Sequence, residues 1–454
     1  MARPRRLLLA AFAAWTICVG LGLACRAPLT SDEAAYALIA RGDGESWLYR
    51  SRGVVAMARA GLLLGDDEIA LRLVPTLASL SFVLAVFAVG RRAFSPRVGA
   101  ASAAVLAGAH PFVLRGFELL GDVPAAACLL GAIAIVAGEL AGESPPSYRL
   151  VGAAPLLAAA FYLRYGSAPV IALIGAAALA CWWQPIRARP GPAIATAVVL
   201  AAMLAPFAIA STCATGSPIG ILQLAGGVSG RTWLARGLYV YVLGDPVRQY
   251  GALPPLALVA ALWSFWRPSP RRRVAVFLAI VALGQIVVLG IVSHPSPRFV
   301  IVGIALLVVV GVDALDRALD RAVTSARWRR VALGAVIASW VGCAIAIVPY
   351  ERHVARGLGE LTAAAAAIRD DDAGRPCTVV ARALPQLMWY ARCAGWKLVG
   401  DARPPIDAAS RWYAAATPRR PIEPCALGVA TRSIGPAWRL EHGMARGKCA
   451  AATR

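Results

Sequence analysis

The chain has 454 residues, 59% of them hydrophobic and 15% charged, with a formal charge of +22 at pH 7. Its apolar residues lie in long blocks rather than in alternation, which is a membrane composition. The charge does not indicate nucleic acid, because nearly all of it is Arg, with Lys397 and Lys448 the only lysines, and the arginines cluster at the ends of the apolar blocks.

A helix needs about 20 mostly apolar residues to cross about 30 Å of hydrocarbon, and in lipid only helices or closed barrels satisfy the backbone. The blocks here are helical in length. Windows of about 19 residues predict about eleven spans, near Leu7–Ala24, Ile69–Gly90, Val98–Leu114, Val123–Ala141, Leu150–Leu163, Ala168–Trp183, Ala193–Ser211, Leu253–Trp266, Val274–Val292, Phe299–Val312 and Val331–Val348. The first follows Arg3, Arg5 and Arg6 in the manner of a signal peptide; with further spans behind it, it reads as a retained signal anchor.

Arginine placement orients the bundle. With the N-terminus inside, the inner segments contain Arg91, Arg92 and Arg97, then Arg149, Arg187 and Arg189, Arg267 with Arg271 to Arg273, and Arg317, Arg321, Arg327, Arg329 and Arg330. Each inner loop is then basic, as the positive-inside rule expects. Merging the short blocks on either side of Arg164 into one span would put Arg271 to Arg273 outside, so they count as two.

The expected fold is an all-α polytopic membrane protein with a small C-terminal extracytoplasmic α/β domain. Residues 1–348 form the transmembrane part, with outer loops at about 25–68 and 212–252, and residues 349–454 form the outer domain. That tail has a helical stretch at Leu358–Ile368 and a strand-like run at Thr378–Ala381. Its cysteines, Cys377, Cys393, Cys425 and Cys449, permit two disulfides in an oxidising compartment, with three pairings open. None has the C-x-x-C spacing of a zinc site, and no internal repeat of the transporter kind is visible.

The outer face carries the polar residues that topology does not explain. After the first span the chain reads Thr30-Ser31-Asp32-Glu33-Ala34-Ala35-Tyr36. A carboxylate at the membrane surface is suited to act as general base toward a hydroxyl or amine; Thr30 and Glu33 also have capping-box spacing. The second outer turn ends Gly121-Asp122-Val123-Pro124, where Asp122 reads either as a helix N-cap or as a second acid of the same site. Ser293-His294-Pro295-Ser296-Pro297-Arg298-Phe299 precedes a late span, and Arg52 lies in the first outer loop. Arginine makes bidentate, permanently charged contacts to phosphate oxygens. Arg164-Tyr165 invites the same reading, but an Arg-Tyr pair is also a common interfacial anchor, and it stays outside the candidate set. Tail aromatics such as Trp389, Tyr390, Trp412 and Tyr413 read as the core of a small domain.

The string Gly65-Asp66-Asp67-Glu68-Ile69-Ala70-Leu71-Arg72-Leu73-Val74-Pro75, the span ending in Gly90-Arg91-Arg92, and then Asp122-Val123-Pro124 resemble the bacterial C-type glycosyltransferases, in the branch of the protein O-mannosyltransferases and aminoarabinose transferases. The resemblance covers about Leu7 to Val312 in hydropathy order. It implies transfer of a sugar from a polyprenyl-phosphate donor to an acceptor, which the sequence does not name, at the outer face of the bacterial cytoplasmic membrane. It implies Asp32 as base, with Glu33 supporting it, and Asp122 holding the acceptor or a metal. Arg52, which stands where the family has a Lys-Pro-Pro or Lys-Gly-Pro segment, and Arg298, His294 and Tyr36 are the implied substrate contacts. Cofactor use, including a divalent metal ion, stays open. Ala35 stands where the aminoarabinose branch has Arg, which argues against that sugar. The competing reading is a transporter or flippase of lipid-linked substrates, which predicts ionisable groups within the spans; a third is an assembly subunit with a degenerate site.

Overall fold

A computed structural model describes residues 2–43, 48–142, 145–229, 234–242, 258–259, 262, 271–292, 296–321, 325–372, 377–381, 384–397, 411–416, 430–434 and 438–444. The helices in chain order are α1 (Ala2–Ala24), α2 (Ser31–Arg41), α3 (Arg52–Leu62), α4 (Glu68–Ser79), α5 (Ser81–Ala93), α6 (Pro96–Ala107), α7 (His110–Gly116), α8 (Asp122–Leu140), α9 (Ala153–Leu163), α10 (Ala168–Ala188), α11 (Gly191–Thr215), α12 (Gly220–Ser229), α13 (Leu234–Val242), α14 (Arg272–Val292), α15 (Ile301–Arg321), α16 (Ser325–Asp372) and α17 (Leu384–Ala391). The chain divides into two compact units, the first made of Met1–Ala24, Leu48–Met57 and Arg72–Val348, the second of Cys25–Trp47, Ala58–Leu71 and Pro349–Arg454.

Among the described residues eight helices are long and apolar enough to cross a membrane, and the pair α6 and α7, bent by 78°, would make a ninth. Gly108 ends α6 and Pro111 opens α7, so the break falls where one residue stops a helix and the other starts one. Of the other two expected spans, the fifth is a shorter apolar helix, Tyr148–Leu163, and the eighth, near Leu253–Trp266, lies largely outside the described residues. The protein is a multi-pass membrane protein.

Within the first unit α8 is the central helix, with 72% of its apolar window buried against 6% for α11. An apolar helix that is buried all round is a core element; one that is apolar and uncovered faces lipid. Trp15 of α1, Phe82 of α5 and Phe112 of α7 form a run of rings 5.5 and 5.6 Å apart. The α5–α6 hairpin closes on glycine: a Cβ on Gly90 would stand 2.6 Å from Gly99 Cα. Close backbone approach through small residues is how helices associate in lipid, where burial of apolar surface between them gains little. Trp340 of α16 docks by donating its indole N–H to the Ala104 carbonyl at 2.8 Å.

The expected tail helix at Leu358–Ile368 is not separate; it is the last third of α16, whose 48 residues extend about 70 Å at 1.5 Å per residue. Pro349 stands inside that helix without ending it. In the second unit α2 packs against α17. The Tyr390 hydroxyl accepts the Leu29 N–H at 2.7 Å and donates to the Glu68 carboxylate at 2.9 Å. Trp389, buried, has the Arg41 guanidinium 4.7 Å and the Arg392 guanidinium 5.1 Å from its ring centre.

The tail carries β1 (Cys377–Ala381), β2 (Ala394–Lys397), β3 (Arg411–Ala416), β4 (Ala430–Ile434) and β5 (Trp438–Met444) in the order β2-β1-β3-β5-β4. β1 is parallel to both β2 and β3, while β5 runs antiparallel to β3 and β4. α17 is the crossover that a parallel β1–β2 pair requires. A disulfide joins Cys377 to Cys393 across that crossover; Cys425 and Cys449 lie outside the described residues.

Gly99→Leu is expected to cost about 1–3 kcal/mol by overpacking the α5–α6 hairpin, read as a lower midpoint of thermal unfolding in lipid. Ala101→Leu, two residues further along α6 and only half-buried, is the control. An unchanged midpoint for Gly99→Leu would contradict the hairpin packing.

Candidate active site

In the first unit the site starts from a close approach of backbones. A Cβ on Gly121 would overlap the Leu163 carbonyl, and one on Gly53 would lie 2.8 Å from the Tyr162 carbonyl. Two glycines therefore let the start of α3 and the start of α8 meet the end of α9. That contact brings three separate stretches of sequence together at one end of the bundle.

Asp122 is not the N-cap; Gly121 holds that position, and Asp122 is the first helical residue, 8% exposed, with its carboxylate paired to Arg164. Arg164 leaves α9 in an extended conformation, at φ −156° and ψ 108°. This turns its guanidinium over the ring of Phe299, 4.2 Å from the centroid. Arg298 approaches the same ring at 5.6 Å. A ring face attracts cations, so one phenyl group holds two guanidinium groups that would otherwise repel.

Gln285 of α14 fixes the segment carrying Arg298. It is 3% exposed, donates its amide to the Phe299 carbonyl at 2.8 Å and accepts the Gly303 N–H at 2.6 Å. Asp122, Arg164, Gln285, Arg298 and Phe299 line one cleft with an interior of ≈ 20 Å³, about the room of one water molecule. A phosphate oxygen fits such a space. Two guanidinium groups and one carboxylate leave the described lining net positive.

Arg52 opens α3 and has an exposed side chain. Its N–H donates to the Tyr165 hydroxyl at 3.4 Å, and the Tyr165 N–H donates to Ser51 Oγ at 3.4 Å. Tyr165 is buried among Phe161 and Phe207, with ring centres 5.3 and 5.0 Å away. Arg164-Tyr165 is therefore no interfacial anchor; the tyrosine is a core residue that joins α3 to the turn, and the arginine is part of the cleft.

The second unit carries the other candidates. Glu33 is fully buried and its carboxylate accepts the Thr30 N–H at 2.9 Å, the reciprocal half of a capping box. Asp32 beside it is only half-buried, and Tyr36 is buried with 9% exposure. Of the adjacent acids, Glu33 shapes the helix start and Asp32 is the more accessible. His294 lies outside the described residues.

The structure thus unites Asp122 and Arg298 in one cleft with Arg164, Gln285 and Phe299. Arg164 was legible as a cation between two apolar blocks. Gln285 had only a weaker signal, a lone amide within an apolar span. Among the described residues no three His, Cys, Asp or Glu side chains converge, and Asp122 is already held by a guanidinium. These residues do not make a metal cage.

Residues 53–209 match the family model described as dolichyl-phosphate-mannose-protein mannosyltransferase. No curated protein matches the chain. Among solved structures, apo ArnT from Cupriavidus metallidurans superposes with a TM-score of 0.71 at 14% identity, over 96% of this chain and 97% of that one. The same enzyme bound to undecaprenyl phosphate gives 0.70 at 14% identity, with the same coverage of 96% and 97%. The archaeal oligosaccharyltransferase AglB from Archaeoglobus fulgidus, in complex with an inhibitory peptide and a dolichol-phosphate, gives 0.52 at 14% identity, over 85% of this chain and 64% of that one. The chain has the fold of the C-type membrane glycosyltransferases.

Removing one partner of a buried ion pair costs about 3–5 kcal/mol because the other charge is left uncompensated. Asp122→Leu and Arg164→Leu should each lower the unfolding midpoint more than the double variant does, and strictly additive effects would contradict the pairing.

Proposed function

We propose that this protein is a glycosyltransferase that takes a hexosyl or pentosyl group from a polyprenyl-phosphate carrier and passes it to an acceptor at the outer face of the bacterial cytoplasmic membrane. The observation that carries the reading is the convergence of Arg164 and Arg298 on Phe299 in a cleft sized for phosphate oxygens. Support comes from the mannosyltransferase match over residues 53–209 and from the fold. ArnT bound to undecaprenyl phosphate and AglB with a dolichol-phosphate have that fold as well.

In this reading the acceptor oxygen or nitrogen attacks the anomeric carbon while the bond from that carbon to the phosphate oxygen breaks. Charge then builds on the departing polyprenyl phosphate. Preorganised cations aimed at developing charge are the strongest catalytic device a site of this kind has, and that is the work assigned to Arg164 and Arg298. Asp122 holds Arg164 in place. Asp32, the accessible acid at the start of α2, takes the acceptor proton, and Glu33 keeps that helix start formed. Arg52, exposed at the start of α3, is a further cation for the donor phosphate.

The arginine distribution orients the molecule with its N-terminus inside and the tail outside. A lipid donor suits this arrangement, since its chain stays in the bilayer while its headgroup reaches the cleft.

Transfer of labelled sugar from a panel of polyprenyl-phosphate sugars, measured with purified protein in lipid, tests the reading. Asp32→Asn is expected to slow transfer about 100-fold or more, the usual scale for loss of a general base. Equal rates for a folded Asp32→Asn variant would remove that residue from the role, and failure to turn over any donor would contradict the enzyme assignment.

A further inference from the structure

At the other end of the first unit the inner arginines do more than orient the chain. Arg91 and Arg92 close α5, and, some 180 residues later in sequence, Arg271 precedes α14 and Arg272 and Arg273 open it. Both groups line a single cavity of ≈ 720 Å³, together with Gly138 of α8 and Trp182 of α10. That volume is in the range of ligand pockets. No acid stands among the described lining residues. Arg271 is the strut: its guanidinium donates to the carbonyls of Ala93, at 3.1 Å, and Phe94, which ties the start of α14 to the end of α5.

A topology signal needs positive charge in the loop but does not need two distant groups to converge on a cavity. Nor does local helix chemistry favour the arrangement. Helix N-termini prefer acids, yet α14 begins with Arg272 and Arg273 and has no acid in its first turn. An anion in the cavity resolves both features, because it offsets the arginines and meets the amide groups that a helix start presents.

We propose that this basic cavity is a second anion site, which takes a phosphate-bearing group with at least two negative charges in total, from the paired phosphodiesters of an anionic lipid headgroup or the linked phosphates of a soluble polyphosphate. It is distinct from the cleft at Asp122: Gly138 lies sixteen residues further along α8, about 24 Å at 1.5 Å per residue. Its occupant therefore does not compete with the sugar donor. It binds at the end of the same helix that carries Asp122.

The test is native mass spectrometry of the full-length protein in neutral detergent with added cardiolipin, with and without inorganic pyrophosphate. Wild type is expected to retain cardiolipin, and Arg92→Gln/Arg272→Gln to retain it at least about tenfold less. Gly138→Leu changes no charge, so it keeps the orientation signal; its Cβ would press on Arg92 Cδ, 3.1 Å away, narrowing the cavity and moving Arg92, and it is expected to reduce retention several-fold. Displacement of cardiolipin by pyrophosphate would show that a soluble polyphosphate is accepted; persistence against excess pyrophosphate would assign the site to the lipid. Retention in both variants equal to wild type would overturn the proposal.

Discussion

The pairing of Asp122 with Arg164, whose guanidinium stacks on Phe299, is the constraint around which the first unit is arranged. Asp122 begins one of the two most buried spans of the bundle, where a bare carboxylate would be severely penalised. Arg164 stands between two apolar helices, with the same difficulty. Each makes the other tolerable, and the glycines at 53 and 121 let the backbones come close enough for the pair to form. The phenyl ring then admits Arg298 beside Arg164. A site made to satisfy its own charges in this way is also preorganised for an anion, because no large rearrangement is needed before a phosphate oxygen enters.

Much of this was legible in the sequence where the physics is one-dimensional. Spans follow from apolar length, so the helix order emerges without tertiary information. The site was legible only in part. Asp122 and Arg298 stand out because polar residues at the outer ends of apolar blocks need a reason, whereas Arg164 carried an equally good explanation as an anchor. Only the extended backbone at Arg164, which swings its side chain toward Phe299, separates the two explanations, and no sequence pattern encodes that turn. Gln285 was hidden for a related reason: its value lies in bridging two backbone groups fourteen and eighteen residues away. The long α16 was misread at its end, where the apolar span stops at Val348 and the chain turns polar, yet the helix runs on through Pro349.

The two adjacent acids at the start of α2 illustrate how position divides labour between like residues. Glu33 faces inward and closes a capping box; Asp32, one residue earlier, stays accessible. A single turn of helix thus supplies both a structural carboxylate and the proposed base. In the same unit Tyr390 ties the chain before α2 to Glu68, so the tail helix α17 and the loop that carries Asp32 are held by a shared hydroxyl. This gives the tail a part in ordering the proposed base, whatever acceptor the protein uses.

The central claim is that the Arg164–Arg298 cleft receives the phosphate of a polyprenyl carrier. A cryo-electron microscopy structure of the protein in lipid with undecaprenyl phosphate addresses it most directly. The account predicts phosphate density within hydrogen-bonding distance of both guanidinium groups, with Phe299 still beneath them. Carrier phosphate bound elsewhere, with Arg164 and Arg298 left as they are here, would contradict it.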